Sequence, residues 1–224
     1  QRVMVGIGIT TYKRKDLLAK CLDSIKEYST LPYKLYVAED TDEDRKGIAL
    51  RKNECLSNLS DCEYIFLFDD DCYPIQQGWE EFFIKAHKES GYHHFCYLTK
   101  NLHIEKNYYF CGEYTIKSYV QCGGVFMFVT LEVLKKVGGF YNGYKYYGFE
   151  HLGYTLRIFF AKLIPEMYLC VEGTENYLFA HDYQEDDFQS TMDKETKLAL
   201  SEENKYILET DANTIFRPIT TEKL

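Results

Sequence analysis

Residues 3–68 alternate short apolar runs with amphipathic segments, and no other property of the chain constrains its fold as tightly. The run Val3-Met4-Val5-Gly6-Ile7-Gly8-Ile9 reads as a buried strand whose glycines admit a second backbone at close range. Over residues 16–28, Leu17, Leu18, Cys21, Leu22 and Ile25 recur at helical spacing while Lys20, Asp23, Lys26 and Glu27 face away, which predicts an amphipathic helix. A second short strand is expected at 34–38, a second helix at 47–59 and a third strand at Tyr64-Ile65-Phe66-Leu67-Phe68. Strand, helix, strand, helix, strand in this order implies βαβ units and a parallel sheet.

Farther along, helical spacing is expected over 79–90, 131–137 and 150–163, and strands over 95–98, 125–129 and 168–171. Past His181 the character changes. Residues 182–205 are rich in Asp, Glu, Gln and Lys, so this stretch is expected to wrap the domain as a loop and helix rather than add a core.

Composition narrows the function classes. The chain has 224 residues and a net charge of -9, which disfavours a polyanion such as DNA or RNA as partner, because clustered Lys and Arg supply affinity for phosphate backbones. None of the eight cysteines forms a Cys-x-x-Cys pair, and Cys21, Cys55 and Cys122 fall in apolar or helical patterns as small hydrophobes. That usage favours a reducing compartment, and a cytoplasmic location is expected. No stretch approaches the roughly 18 consecutive apolar residues of a membrane span, and the N-terminal residues lack the basic-then-apolar order of a signal peptide. The 21 Tyr and 15 Phe are unusual, and clusters such as Tyr144-Lys145-Tyr146-Tyr147 are surfaces on which sugar rings and bases can stack.

Three aspartates, Asp69-Asp70-Asp71, stand directly behind the third strand. In open α/β sheets ligands collect beyond the carboxyl ends of strands, and three carboxylates there need a cation. A divalent metal with a phosphate ligand makes the arrangement favourable. The segment Asp40-Thr41-Asp42-Glu43-Asp44 is not a calcium loop, since an EF-hand needs Gly where Arg45 stands and Glu where Arg51 stands. The histidines at 87, 93, 94 and 103 lack metal-ligand spacing and are expected on the surface.

In sequence, the chain presents Ile9-Thr10-Thr11-Tyr12-Lys13-Arg14, Glu39-Asp40, Gly47 with Lys52-Asn53, the acidic triplet, Gly123-Gly124, Gly138-Gly139-Phe140 and Gly148-Phe149-Glu150. Over residues 3–160 this order resembles the family 2 glycosyltransferases of the GT-A fold. The resemblance implies a Rossmann-like three-layer α/β/α sandwich with a mostly parallel central sheet. Residues 1–181 would form the catalytic domain, with 1–100 binding a nucleotide-sugar and 101–181 the acceptor, and 182–224 an extension packed on it. It further implies a metal-dependent, inverting transfer from a nucleotide-sugar, expected to be a UDP-sugar, to a glycan hydroxyl.

Residue by residue, the resemblance places Thr10, Tyr12 and Arg14 around the base and phosphates, with Asp40, or less favourably Glu39, accepting from the base or ribose. Arg51 and Lys52 would meet donor phosphates; Asn53 matches the family's Asn, while Lys52 stands where Arg is usual. The family's Asp-x-Asp maps onto Asp69 and Asp71 with Asp70 between them. Asp71 is the first choice as ligand of Mg2+ or Mn2+, and Asp69 holds the ribose, or the metal through water. His181 is a further ligand candidate, and its imidazole would favour Mn2+. Gly123 and Gly124 would lie beside the transferred sugar. The family's Glu-Asp is here Glu150-His151, so either residue is the candidate base, with Glu150 preferred on charge. Arg157 would pair with Glu150 or phosphate.

Two other readings compete. A nucleotidyltransferase that makes nucleotide-sugars uses a similar sheet but a glycine-rich loop after the first strand, and residues 10–14 contain no glycine. A non-catalytic carbohydrate-binding protein on the same fold is supported by His151.

Overall fold

A computed structural model of the chain describes residues 4–97, 104–184 and 191–224. The elements run β1 (Val5–Tyr12), α1 (Lys15–Tyr28), β2 (Tyr33–Asp40), α2 (Ile48–Asn58), β3 (Tyr64–Asp69), β4 (Cys72–Pro74), α3 (Trp79–Ser90), β5 (His94–Cys96), β6 (Glu105–Cys111) and β7 (Tyr114–Tyr119). They continue with β8 (Phe126–Thr130), α4 (Leu131–Val137), α5 (Glu150–Phe160), β9 (Leu169–Val171), β10 (Leu178–Ala180), α6 (His181–Gln184) and α7 (Lys194–Ala212).

The central sheet has the order β2-β1-β3-β8-β5. β1 pairs in parallel with both β2 and β3, while β8 is antiparallel to β3 and to β5, so all strands but β8 run the same way. The chain steps from β1 to β2 on one side and then crosses back to β3 on the other. With right-handed crossovers, α1 and α2 therefore cover opposite faces, and the order reverses between β1 and β3. This is the expected mixed α/β architecture with a mostly parallel central sheet. A second sheet, β6-β7-β9, and the pair β10-β4 flank it.

The core follows from side-chain chemistry. Phe66 and Phe68 of β3, Phe126 and Phe128 of β8, and Trp79 and Phe83 of α3 are fully buried. Their rings meet edge-on or tilted, at 4.7 Å between Phe66 and Trp79 and 4.8 Å between Phe83 and Phe126. Each such ring contributes about 1.5–3 kcal/mol by leaving water. Gly8 lets α2 settle on β1, because a Cβ there would lie 2.7 Å from that of Cys55. Cys21, Cys55 and Cys122 are buried, and no cysteine is in a disulfide.

Several elements depart from the expected spans. β1 runs on to Tyr12, because Thr10, Thr11 and Tyr12 continue the ladder with Ala38, Glu39 and Asp40. α5 stops at Phe160, and Lys162 beyond it takes a positive φ of 63°. The strand expected over 95–98 is His94–Cys96, and Leu98 lies outside the described residues. His94 is buried rather than at the surface, its Nδ1 and Nε2 meeting Phe128 O and Thr155 Oγ1 at 2.8 and 2.9 Å. His87 and His93 are half-buried and His103 lies outside the described residues. Among the described residues no helix is long and apolar enough to cross a membrane.

Candidate functional site

β1 and β3 end side by side at the reversal point, and a cavity of about 280 Å³ opens there. The Thr10 hydroxyl donates to Asp69 Oδ1 (2.9 Å), and the Thr11 hydroxyl to Asp70 Oδ2 (2.7 Å). Arg14 bridges onward to Asp71 Oδ2 (2.8 Å) and also to Asp70. β3 ends at Asp69, and the turn that follows divides the triplet: Asp69 and Asp71 line the cavity with Thr10, Thr11, Tyr12 and Arg14, while Asp70 is 0% exposed and off the wall. Asp70 thus holds Thr11 and Arg14 in place rather than facing a ligand.

Burial raises the pKa of Asp70 to about 6 and, against the pull of Arg14, that of Asp71 to about 7. Asp69, Asp70 and Asp182 add to the strain on Asp71. Its Oδ1 is buried and has no hydrogen-bond partner among the described residues. Such an oxygen fits a hard cation, although no group of three or more His, Cys, Asp or Glu among the described residues is arranged to hold one. Mg2+-type ions commonly take one or two carboxylates and complete their shell with phosphate and water, so a sparse protein donor set is compatible with them. The pairing of β10 with β4 brings His181 beside the triplet, its N–H donating to Asp71 O at 2.9 Å. Its ring Nε2 meets the Tyr73 hydroxyl at 3.0 Å.

At the opposite end, Asp40 is filled. Its oxygens accept from Arg45, Arg51 and the N–H groups of Lys46 and Gly47, at 2.6–3.2 Å. A carboxylate has about four acceptor positions, so Asp40 organises the 41–47 loop and has none to spare for a base. Glu39 is exposed on the strand's other face. Arg45 instead presents its guanidinium to the cavity, 3.6 Å above the Tyr12 ring. Arg51 also lines the cavity but is bound to Asp40, Asp44 and Glu54.

Lys52 is 1% exposed; its ammonium donates to Gly124 O (2.9 Å) and lies 3.7 Å from Asp69 and 3.9 Å from Glu150. It sits behind the cavity wall and joins the triplet to the candidate base. Asn53 and Arg157 are not on that wall. Asn53 bonds both backbone groups of Phe140 and Thr220 O. Arg157 is 0% exposed, pairs with Asp211 at 2.9 Å and donates to Val137 O, Gly139 O and Ile215 O.

Gly123, Gly124, Glu150 and His151 do line the cavity. A Cβ on Gly124 would approach the His151 ring to 3.0 Å, so this glycine makes room for the imidazole. His151 Nε2 meets Cys122 O at 3.0 Å, and Nδ1 lies 3.6 Å from Glu150. Burial alone would raise the pKa of Glu150, but His151 and Lys52 reverse that and hold it at about 2. The His151 pKa is correspondingly raised by Glu150 against its own burial.

Asp40, Gly47, Ile48 and Val125 also line the cavity, and the rest of its wall is Tyr146, Tyr147, Gly148, Asp182, Thr191, Met192 and Lys197. The tyrosines were legible only as an aromatic cluster, and Lys197 carried no signal in one polar helix among many. Asn204 of α7, 0% exposed, fixes their loop by accepting from Lys145 N and donating to Tyr147 O and Gly148 O (2.7–2.8 Å).

No protein-family model matches the chain. A protein of Acanthamoeba polyphaga mimivirus, named an uncharacterized glycosyltransferase, is 26% identical over 174 residues, or 73% of this chain; the chain spans 64% of its length. Drosophila beta-1,4-galactosyltransferase 7, solved with manganese, UDP-Gal and xylobiose, superposes with a TM-score of 0.54 at 17% identity, covering 87% of this chain and 78% of that one. A mannosyltransferase from Pyrobaculum calidifontis, solved with GDP-Man and Mn2+, gives 0.52 at 14% identity over 70% of this chain and 52% of its own. The chain shares the fold of these structures.

Proposed function

We propose that the chain is a glycosyltransferase that moves a sugar from a nucleotide-sugar, with a UDP-sugar as the expected donor, to a hydroxyl of a glycan acceptor. The observation that carries this reading is the buried Asp71 Oδ1, without a hydrogen-bond partner among the described residues, at the point where the sheet order reverses. The likeness to a mimiviral glycosyltransferase and to folds solved with nucleotide-sugars supports it.

Asp71 and Asp69 would hold Mn2+ or Mg2+, with His181 as a further candidate. When bound, the ion supplies Lewis-acid neutralisation of charge developing on the leaving diphosphate. Thr10 and Arg14 orient the two acids from behind, and Tyr12 with Arg45 offers a face on which a base can stack. Gly123 and Gly124, on the cavity wall, would lie beside the transferred sugar. Glu150 stays ionised next to the place of transfer and accepts the acceptor's proton in a single inverting displacement, while His151 and Lys52 hold its carboxylate. Cys21, Cys55 and Cys122 are buried thiols outside any disulfide, which supports a reducing, cytoplasmic setting.

A second reading, sugar binding without transfer, is favoured by two observations: Glu150 is pulled to a low pKa and His151 Nε2 is tied to a carbonyl. Release of UDP from UDP-sugars with Mn2+, with and without EDTA, separates the two. Asp71→Ala is expected to lower turnover at least about 100-fold and to weaken nucleotide binding. Unchanged nucleotide binding in that variant refutes the metal-site assignment; binding of UDP-sugar without UDP release selects the second reading.

A further inference from the structure

The cations around the cavity are unequally engaged. Arg14 is held by Asp70 and Asp71, Arg45 by Asp40, and Arg51 by Asp40, Asp44 and Glu54. Lys197 of α7 differs. Its ammonium lies 5.1 Å from the centre of the Tyr147 ring and makes no hydrogen bond or ion pair among the described residues, yet the residue lines the cavity.

Its position is built rather than accidental. Lys197 lies in the first turns of the 19-residue α7, whose amino end also brings Thr191 and Met192 to the cavity wall. Asp193 caps the helix by accepting from Thr196 N at 2.8 Å, and Asn204 ties the same helix to the 145–148 loop. On the same wall stand Asp71, whose buried Oδ1 has no hydrogen-bond partner among the described residues, and Asp69. That ammonium, whose charge acts most on Asp182 beside it, and the amino end of α7 share one cavity with Asp69 and Asp71. An anion that brings a metal with it fits between them, meeting the acids through the metal and Lys197 directly.

Resting on the donor-site reading above, we propose that Lys197 binds the diphosphate of the nucleotide-sugar from the α7 side and neutralises the nucleoside diphosphate as it leaves. The C-terminal helix is then part of the donor site, and Lys197 distinguishes a diphosphate from a monophosphate.

Calorimetric titration of the full chain with UMP, UDP, GMP, GDP and inorganic pyrophosphate, in Mn2+, tests this. Wild type is expected to bind one nucleoside diphosphate more tightly than its monophosphate. Lys197→Ala is expected to weaken the diphosphate about tenfold while the monophosphate changes less than about twofold, and Lys197→Arg to recover most of the loss. Since the ammonium makes no hydrogen bond among the described residues, the melting temperature should hold in both variants. Equal losses for mono- and diphosphate, or no loss, overturn the assignment of Lys197 and leave the donor site standing. If wild type binds none of the nucleotides, the donor-site reading falls, and this proposal with it.

Discussion

Glu150 and His151 sit side by side with opposite electrostatic fates. The folded pKa of Glu150 is about 2, below its ordinary 4.5, so its stabilisation is present above about pH 4.5 and lost as pH falls towards 2. The His151 pKa is raised from 6.5, so its contribution is complete below that value and is lost as pH rises through the folded pKa. The pair is therefore most stabilising between about pH 4.5 and 6.5. Glu150→Gln is expected to cut kcat at least about 100-fold with donor binding retained, and His151→Ala to cut it less. Wild-type kcat in both variants removes the pair from the chemistry. At this scale the places of Asp69, Asp71, Thr10, Tyr12, Arg14, Gly123 and Gly124 on the cavity wall were legible, because each stands at a strand end or turn that the local pattern announces. Asp40, Asn53 and Arg157 were not, because what occupies them is settled elsewhere: the 41–47 loop fills Asp40, and residues 215–220 claim parts of the other two.

The strands of the central sheet were readable from unbroken apolar runs, whereas β6 and β7 were not. Residues 105–119 alternate weakly, and β6 leaves Tyr108 and Phe110 exposed. What orders them is Glu166, which accepts from Asn107 Nδ2 (2.8 Å), Tyr109 (3.1 Å) and Ser118 (2.6 Å) and pairs with Lys106. Burial would raise its pKa, but these donors hold it at about 2. Glu166→Gln is expected to lower the melting temperature by a few degrees at pH 7, read by circular dichroism. It should also flatten the fall in stability between about pH 4.5 and 2, because the depressed carboxylate that causes part of that fall is gone. An unchanged acid limb would show that the hairpin is held by something else.

Across the whole molecule, one tie of the C-terminal segment is a buried charge cluster at Asp211. Asp211, 0% exposed, takes Arg157, Arg217 (2.8 Å) and the Tyr144 hydroxyl (3.0 Å), and Arg217 exchanges backbone hydrogen bonds with Val137 and Gly139. Removing one partner of a buried pair strands the other, so Asp211→Ala is expected to cost about 3–5 kcal/mol, roughly 10 °C in melting temperature for a chain of this size. The double replacement Arg157→Met with Asp211→Leu should recover much of it, since an apolar pair needs no counter-charge. Failure of that rescue would mean that the hydrogen bonds of Arg157 to Val137, Gly139 and Ile215 carry the strap, rather than the charge pair. Asp211 and Arg157 are 54 residues apart, a partnership that no local spacing discloses.

Residues 10–71 supply the acidic part of the cavity wall and residues 191–197 its last part. Because a ribosome releases the chain from the amino end, the acidic part emerges well before the last. Throughout that interval the nascent protein carries a half-built cleft, and on the proposed reading competence to hold a nucleotide arrives as a late step of synthesis, separate in time from the collapse of the sheet.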